Sequence, residues 1–226
     1  MNLCLSSETY LIDIDDIARL PDSDYAPQYK NDGKIVVLLG DLNGKIPDTL
    51  LCGRELLQQA AERREKSVPV EFAFFDKTRW FDFITPFFKK LRRKYKIWSY
   101  NIYHMDPREI RRMKIERSFR DRNTAYTFSN PLYRCSDEER KNRYQALYDS
   151  MSKGYDDNCP IEIMLLRLVG IKDTVNNGHH RMGIALECGL PKVAVRFSAA
   201  GQAPRFMHPL LRFIADISIR FKQRKS

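Results

Sequence analysis

At Asn176-Asn177-Gly178 a stretch that alternates like a strand runs directly into one that repeats like a helix, and this junction limits what the chain can become. Residues 172–175 read as a strand. From His179 onward Met182, Ile184, Ala185 and Leu186 recur with helical periodicity until Gly189, and residues 193–197 read as a further strand. A strand that meets a glycine and then a helix aims the helix's unbonded backbone N–H groups at one point, the arrangement that receives phosphate oxygens. His180 and Arg181 in the first helical turn add side-chain donors, and a guanidinium can grip two oxygens at once. Upstream, Ser136 followed by Glu139 is a capping box that opens a helix to about Lys153, where Gly154 stops it. Residues 160–166 read as a strand, with a turn near Gly170. The predicted order is helix, strand, strand, glycine turn, helix, strand.

That order, with Asn130-Pro131, a helix over 140–152, Pro160-Ile161, Gly178-His179-His180-Arg181 and Gly189, resembles the ParB/sulfiredoxin superfamily over about residues 130–197. The resemblance implies a nucleotide-phosphate site. In the sulfiredoxin pattern a cationic residue and, seven positions later, a hydroxyl residue contact the phosphates from the first helix. Here these positions are Arg143 and Ser150, with Pro160 ten residues after the serine and Ala146 departing from an intermediate hydroxyl. Seven residues is about two turns, so the pair shares one helix face. The expected phosphate-binding set is Asn177, Gly178, His179, His180, Arg181, Arg143 and Ser150.

Within that superfamily the reductases need a nucleophilic cysteine immediately after the glycine, and His179 stands there instead, which excludes the chemistry of sulfur-sulfur exchange. The CTP-dependent DNA clamps carry an arginine-rich turn and a following helix-turn-helix domain, for which the residues after Phe197 are too few. Gly-His-His-Arg is closer to the kinase-like members. The expectation is therefore a phosphotransferase using ATP or ADP, with CTP as the alternative, and Mg2+ carried by the nucleotide, acting on a hydroxyl of a small molecule or glycan. His179 and His180 are the expected catalytic donors. The acceptor's proton falls to one of Asp137, Glu138, Glu139 and Asp173, with Glu139 and Asp173 preferred. Adjacent histidines diverge on a helix and no third ligand is spaced to join them, so no protein-held metal is expected.

The remainder predicts a mixed α+β protein: an α/β N-terminal module over residues 1–122, the ParB/sulfiredoxin-like unit over 123–200, and a basic C-terminal helix or tail over 201–226. In the first module residues 10–15, 35–39, 70–75 and 97–104 read as strands. Residues 53–66, 79–95 and 106–119 read as helices, the second bent near Pro86. No internal repeat is visible. Five widely spaced cysteines suit neither a disulfide framework nor zinc and read as reduced thiols. No apolar run approaches the ~20 residues of a membrane-spanning helix, and residues 1–5 lack the features of a secretory leader, so a cytoplasmic location is expected.

A formal net charge of +10, with seven acids against two bases over residues 1–33 but thirteen bases against four acids over 89–122, implies anionic partners. Beyond a nucleotide these could be nucleic acid, bound or, as in the proposed nucleases of the ParB-like group, cleaved, and met by residues 89–96 with Trp98, Tyr100 and Tyr103 as stacking surfaces, although alternation on one strand face favours a core role for the aromatics. They could also be anionic lipid, met by Leu210, Leu211, Phe213, Ile214, Ile217 and Phe221 interleaved with bases, giving peripheral membrane contact. His104 and His208 belong to no constellation.

Overall fold

The computed structural model describes residues 2–25, 33–76, 97–112, 116–117, 137–165 and 173–199. Their apolar alternation produces a mixed α+β fold with two mixed sheets. The first sheet contains β1 (Asn2–Leu5), β2 (Tyr10–Asp13), β3 (Ile35–Leu38), β4 (Thr49–Cys52) and β5 (Ser67–Asp76). Both β1 and β2 pair antiparallel with β5, which runs parallel to β3, and β3 pairs antiparallel with β4. Between strands lie α1 (Ile14–Ala18) and α2 (Arg54–Glu62). The expected strand over 10–15 stops at Asp13, because that carboxylate accepts the Asp15 N–H and caps α1.

The second sheet contains β6 (Ile97–Trp98), β7 (Tyr103–Met105), β8 (Glu116–Arg117), β9 (Ile161–Leu165), β10 (Thr174–Asn177) and β11 (Val193–Ala199). Both β6 and β7 pair antiparallel with β11, β11 is parallel to β9, and β9 is antiparallel to β10, with β8 outermost. Its helices are α3 (Pro107–Arg112), α4 (Asp137–Met151) and α5 (His179–Glu187). The division between sheets therefore falls after residue 76, since the strands at 97–105 join the second sheet. The single strand expected over 97–104 is two strands around Ser99, whose Oγ accepts the Phe197 N–H while donating to the Asn101 carbonyl. The helix expected over 106–119 ends at Arg112, and Glu116–Arg117 turns into the edge of the second sheet. The stretches at 79–95, 123–136 and 201–226 lie outside the described residues.

The two sheets are copies of one unit. In each, two short strands pair with the long closing strand, and a helix follows the second. A central strand then runs parallel to the closing one, and an antiparallel neighbour leads through a glycine into a helix. Even the register irregularity recurs: Val36 pairs Cys52 and Val37 pairs Leu50, as Glu162 pairs Asn177 and Ile163 pairs Val175. Ser6 repeats the work of Ser99, accepting the Phe72 N–H and donating to the Glu8 carbonyl. The reading that the chain holds no repeat is thus corrected. No single spacing aligns the whole repeat, because β2 and β3 are joined through residues 14–34, whereas β7 and β9 are joined through a far longer stretch that carries β8 and α4.

The copies meet reciprocally. Asp48, just before β4, accepts the Tyr103 hydroxyl at 2.7 Å and the N–H groups of Tyr100 and Asn101 at 3.1 and 3.0 Å. Asp173, just before β10, accepts the Tyr10 hydroxyl at 2.6 Å and the N–H groups of Ser7 and Glu8 at 3.1 and 3.3 Å. Each aspartate belongs to one repeat and holds the strand-to-strand arch of the other, the contact pattern of a two-fold axis. Near that axis Phe72 and Phe197 stack at 3.9 Å, with Tyr10 edge-on to Phe197 and Tyr103 edge-on to Phe72 at 4.8 and 5.2 Å. One apolar core runs through both repeats, including Ile12, Val37, Phe72, Ile163, Ile184 and Phe197.

Candidate functional site

The sharp corner at Gly178 is present. Gly178 is left-handed (φ 92°, ψ 15°) at the N-cap of α5, and a Cβ there would sit 3.0 Å from both Cα and Cγ1 of Ile161, so glycine is required for conformation and for close approach to β9. Its N–H is held by its neighbour's Asn177 Oδ1 at 2.8 Å. His179, His180 and Arg181 follow in the first turn, all partly buried. Arg181 donates to the Pro160 carbonyl at 3.2 Å and to the Cys159 carbonyl, and Cys159 also accepts the Tyr155 hydroxyl at 2.9 Å. Burial pushes the Tyr155 phenol up to about 12, against the opposing pull of Arg181. Asp156 on the same loop is held below its usual range, chiefly by the Asn158 N–H. The guanidinium is thus aimed along the start of β9 by two neutral carbonyls.

The first repeat has a matching corner. Gly53 (φ 97°, ψ 18°) caps α2, and a Cβ on it would meet Ile35 Cα at 2.7 Å. Its first turn differs chemically: Glu55 is an acid, and Arg54 is spent on Asp22, at 2.6 and 3.0 Å, and on the carbonyls of Ala18 and Leu20. The first turn of α5 holds no acid. Two equal backbone corners therefore carry unequal charge.

The other expected residues are spread out. Asp173 is fully buried and committed to the inter-repeat contact with Tyr10, Ser7 and Glu8. Glu138, Glu139, Arg143 and Ser150 are exposed on α4, which Asp137 opens and which packs inward through Tyr144, Leu147, Tyr148 and Met151. Tyr144, beside Arg143, bonds Glu187 at the far end of α5, about 12 Å along the helix from His179. Ser150 lies two turns nearer the loop that holds Arg181. Of the suggested stacking aromatics, Tyr103 is in the core and Tyr100 is exposed. His104 bridges Asp16 at 3.0 Å and Asp157 at 3.3 Å. Residues 89–96, the C-terminal amphipathic stretch and His208 lie outside the described residues.

Comparisons with family models, with curated proteins and with solved structures returned no match. Among the described residues no helix is long and apolar enough to cross a membrane, and no three His, Cys, Asp or Glu side chains gather as for a metal. Sequence reasoning passed over Glu162, Arg196 and Ser198, which form a polar group on the outer face of the second sheet. The available signal was a lone acid, Glu162, inside the apolar run Ile161-Glu-Ile-Met-Leu165.

Proposed function

We propose that the second repeat binds a nucleoside triphosphate or diphosphate at the Gly178 corner and transfers its terminal phosphoryl group to a hydroxyl of a small molecule or glycan, as the resemblance to the kinase-like ParB/sulfiredoxin members implies. The observation that carries this reading is the contrast between the two corners. The fold needs both glycines for geometry, yet only the second follows its glycine with two imidazoles and a guanidinium and no acid. The donor set suits a polyphosphate: the first-turn N–H groups of α5 and the side chains of His179, His180 and Arg181. Arg181 is held by neutral carbonyls, from which a charged phosphate oxygen would draw it, since charge-assisted hydrogen bonds are about twice as strong as neutral ones. Ser150 would contribute from the C-terminal part of α4.

Phosphoryl transfer asks mainly for positioning and neutralisation of charge, which these groups supply. Magnesium would enter with the nucleotide, whose phosphate oxygens and waters can supply its ligands. The test is a thermal-shift screen of nucleotides with magnesium. Mg-ATP at a hundred times its Kd is expected to add about 2.7 kcal/mol of apparent stability. Arg181→Ala should erase that shift while leaving the unliganded chain folded. A shift retained by Arg181→Ala, or a response to CTP alone, would remove the phosphotransferase reading.

A further inference from the structure

The repeats differ at one more position beside their glycine corners. In the first, Asp22 lies parallel along the edge of β4 as the register partner of Leu50. The Leu50 N–H donates to the Pro21 carbonyl and the Ser23 N–H to the Leu50 carbonyl, both at 2.8 Å. In the second, β8 takes this place along β10, with Arg117 the partner of Val175. Leu50 and Val175 are equivalent, each standing three residues before its corner glycine, so Arg117 occupies the position of Asp22. Both Leu50 and Val175 belong to the core against which α2 and α5 pack, and register partners on parallel strands share a face. Positions 22 and 117 therefore lie on the helix side of their sheets.

How near such a position comes to the corner is visible in the first repeat. There the Asp22 carboxylate meets Arg54, the first residue of α2, at 2.6 and 3.0 Å. That repeat carries its own anion at the start of its helix, where the helix dipole favours one. The second repeat has changed the whole group: Asp22, Arg54, Glu55 and Leu56 correspond to Arg117, His179, His180 and Arg181. Two acids and one base have given way to two bases and two imidazoles. A cation holds the position of the built-in anion, and an anion for this corner comes from outside the group. Arg181 is held on the β9 side by the Pro160 carbonyl, whereas position 117 lies on the other side of β10, with β8 and β9 about 9.6 Å apart. We propose that Arg117 is a phosphate-binding residue of the Gly178 corner, flanking a polyphosphate from the edge strand as Arg181 does from β9, an inference that rests on the phosphotransferase reading above. Two guanidinium groups, each able to grip two oxygens, match a chain of phosphates.

The experiment uses the full chain and two readouts. In calorimetric titrations with Mg-ATP and with inorganic tripolyphosphate, Arg117→Gln should bind at least roughly tenfold more weakly than wild type, and Arg117→Lys should recover part of the loss. Affinity within about two-fold of wild type in Arg117→Gln would overturn the assignment and leave the phosphotransferase reading standing. A loss accompanied by a lower unfolding temperature of the unliganded variant, and not relieved by lysine, would make Arg117 structural instead. The second readout needs no ligand. Arg117→Asp combined with His179→Arg installs the first repeat's ion pair, and this double variant should unfold at a higher temperature than Arg117→Asp alone. A double variant that gains nothing would show that positions 117 and 179 are not neighbours, which also sinks the assignment. A wild type that binds neither ligand defeats the phosphotransferase reading and the role of Arg117 with it, whereas the double variant still reports whether the two positions meet.

Discussion

Asp48 and Asp173 illustrate how much of this molecule rests on single side chains. Asp48 accepts four hydrogen bonds, from Gly40, Tyr100, Asn101 and Tyr103, and no other side chain of its size could accept all four. Replacing either aspartate with alanine strands a buried tyrosine hydroxyl and part-buried N–H groups and should lower stability by on the order of 3 kcal/mol, measured by urea unfolding. Tyr103→Phe should cost about 1.5–3 kcal/mol by the same measurement. Burial raises the Asp48 carboxyl above its ordinary value, and with it the phenols of Tyr10 and Tyr103. A folded value above the unfolded one means that the Asp48 contribution is complete below the unfolded value, about 3.9, and is lost as pH rises through the folded one. The stability gap between wild type and Asp48→Asn should therefore widen as pH falls from 7 toward 4. A gap that narrows would contradict the assignment.

Among the elements, the two glycine corners offer a matched experiment. Both residues are left-handed and pressed against the first residue of a central strand, so alanine at either adds strain of about 1–3 kcal/mol. Gly53→Ala should be the more damaging, since its Cβ would also come within 2.7 Å of the Lys34 carbonyl oxygen. Only Gly178→Ala should weaken Mg-ATP binding, as read by calorimetry. Helix α4 shows why its role could not be read from spacing alone. Arg143 and Ser150 do share a face, but Tyr144, Leu147, Tyr148 and Met151 define the face that packs, and it lies about a quarter-turn away. The seven-residue spacing fixed the relative direction of two side chains, whereas the docking of α4 on α5 decided which end of α5 each one approaches.

For the whole molecule, each repeat is completed by the other. The arch of the first is held by Asp173 and that of the second by Asp48, and Phe72 and Phe197 stack against one another. Residues 1–96 expressed alone should therefore remain largely unfolded by circular dichroism, and should gain structure when mixed with residues 97–226. Independent folding of the first fragment would refute that interdependence. The repeat was legible in part: Asp48-Thr49, Gly53, Ala60, Glu62, Val68, Val70 and Phe72 recur as Asp173-Thr174, Gly178, Ala185, Glu187, Val193, Val195 and Phe197. It passed unnoticed because most of these are ordinary core residues and the unequal connections break the alignment. By itself the sequence determined the strand and helix periods and the glycine corner at 178, since these follow from local sterics and from patterns a few residues long. Only the tertiary structure decided that Asp173 is a fastening between repeats, that Tyr103 belongs to the core, and that Glu162 lies beside Arg196. Those facts depend on strands far apart in sequence sharing one sheet, which local spacing does not encode.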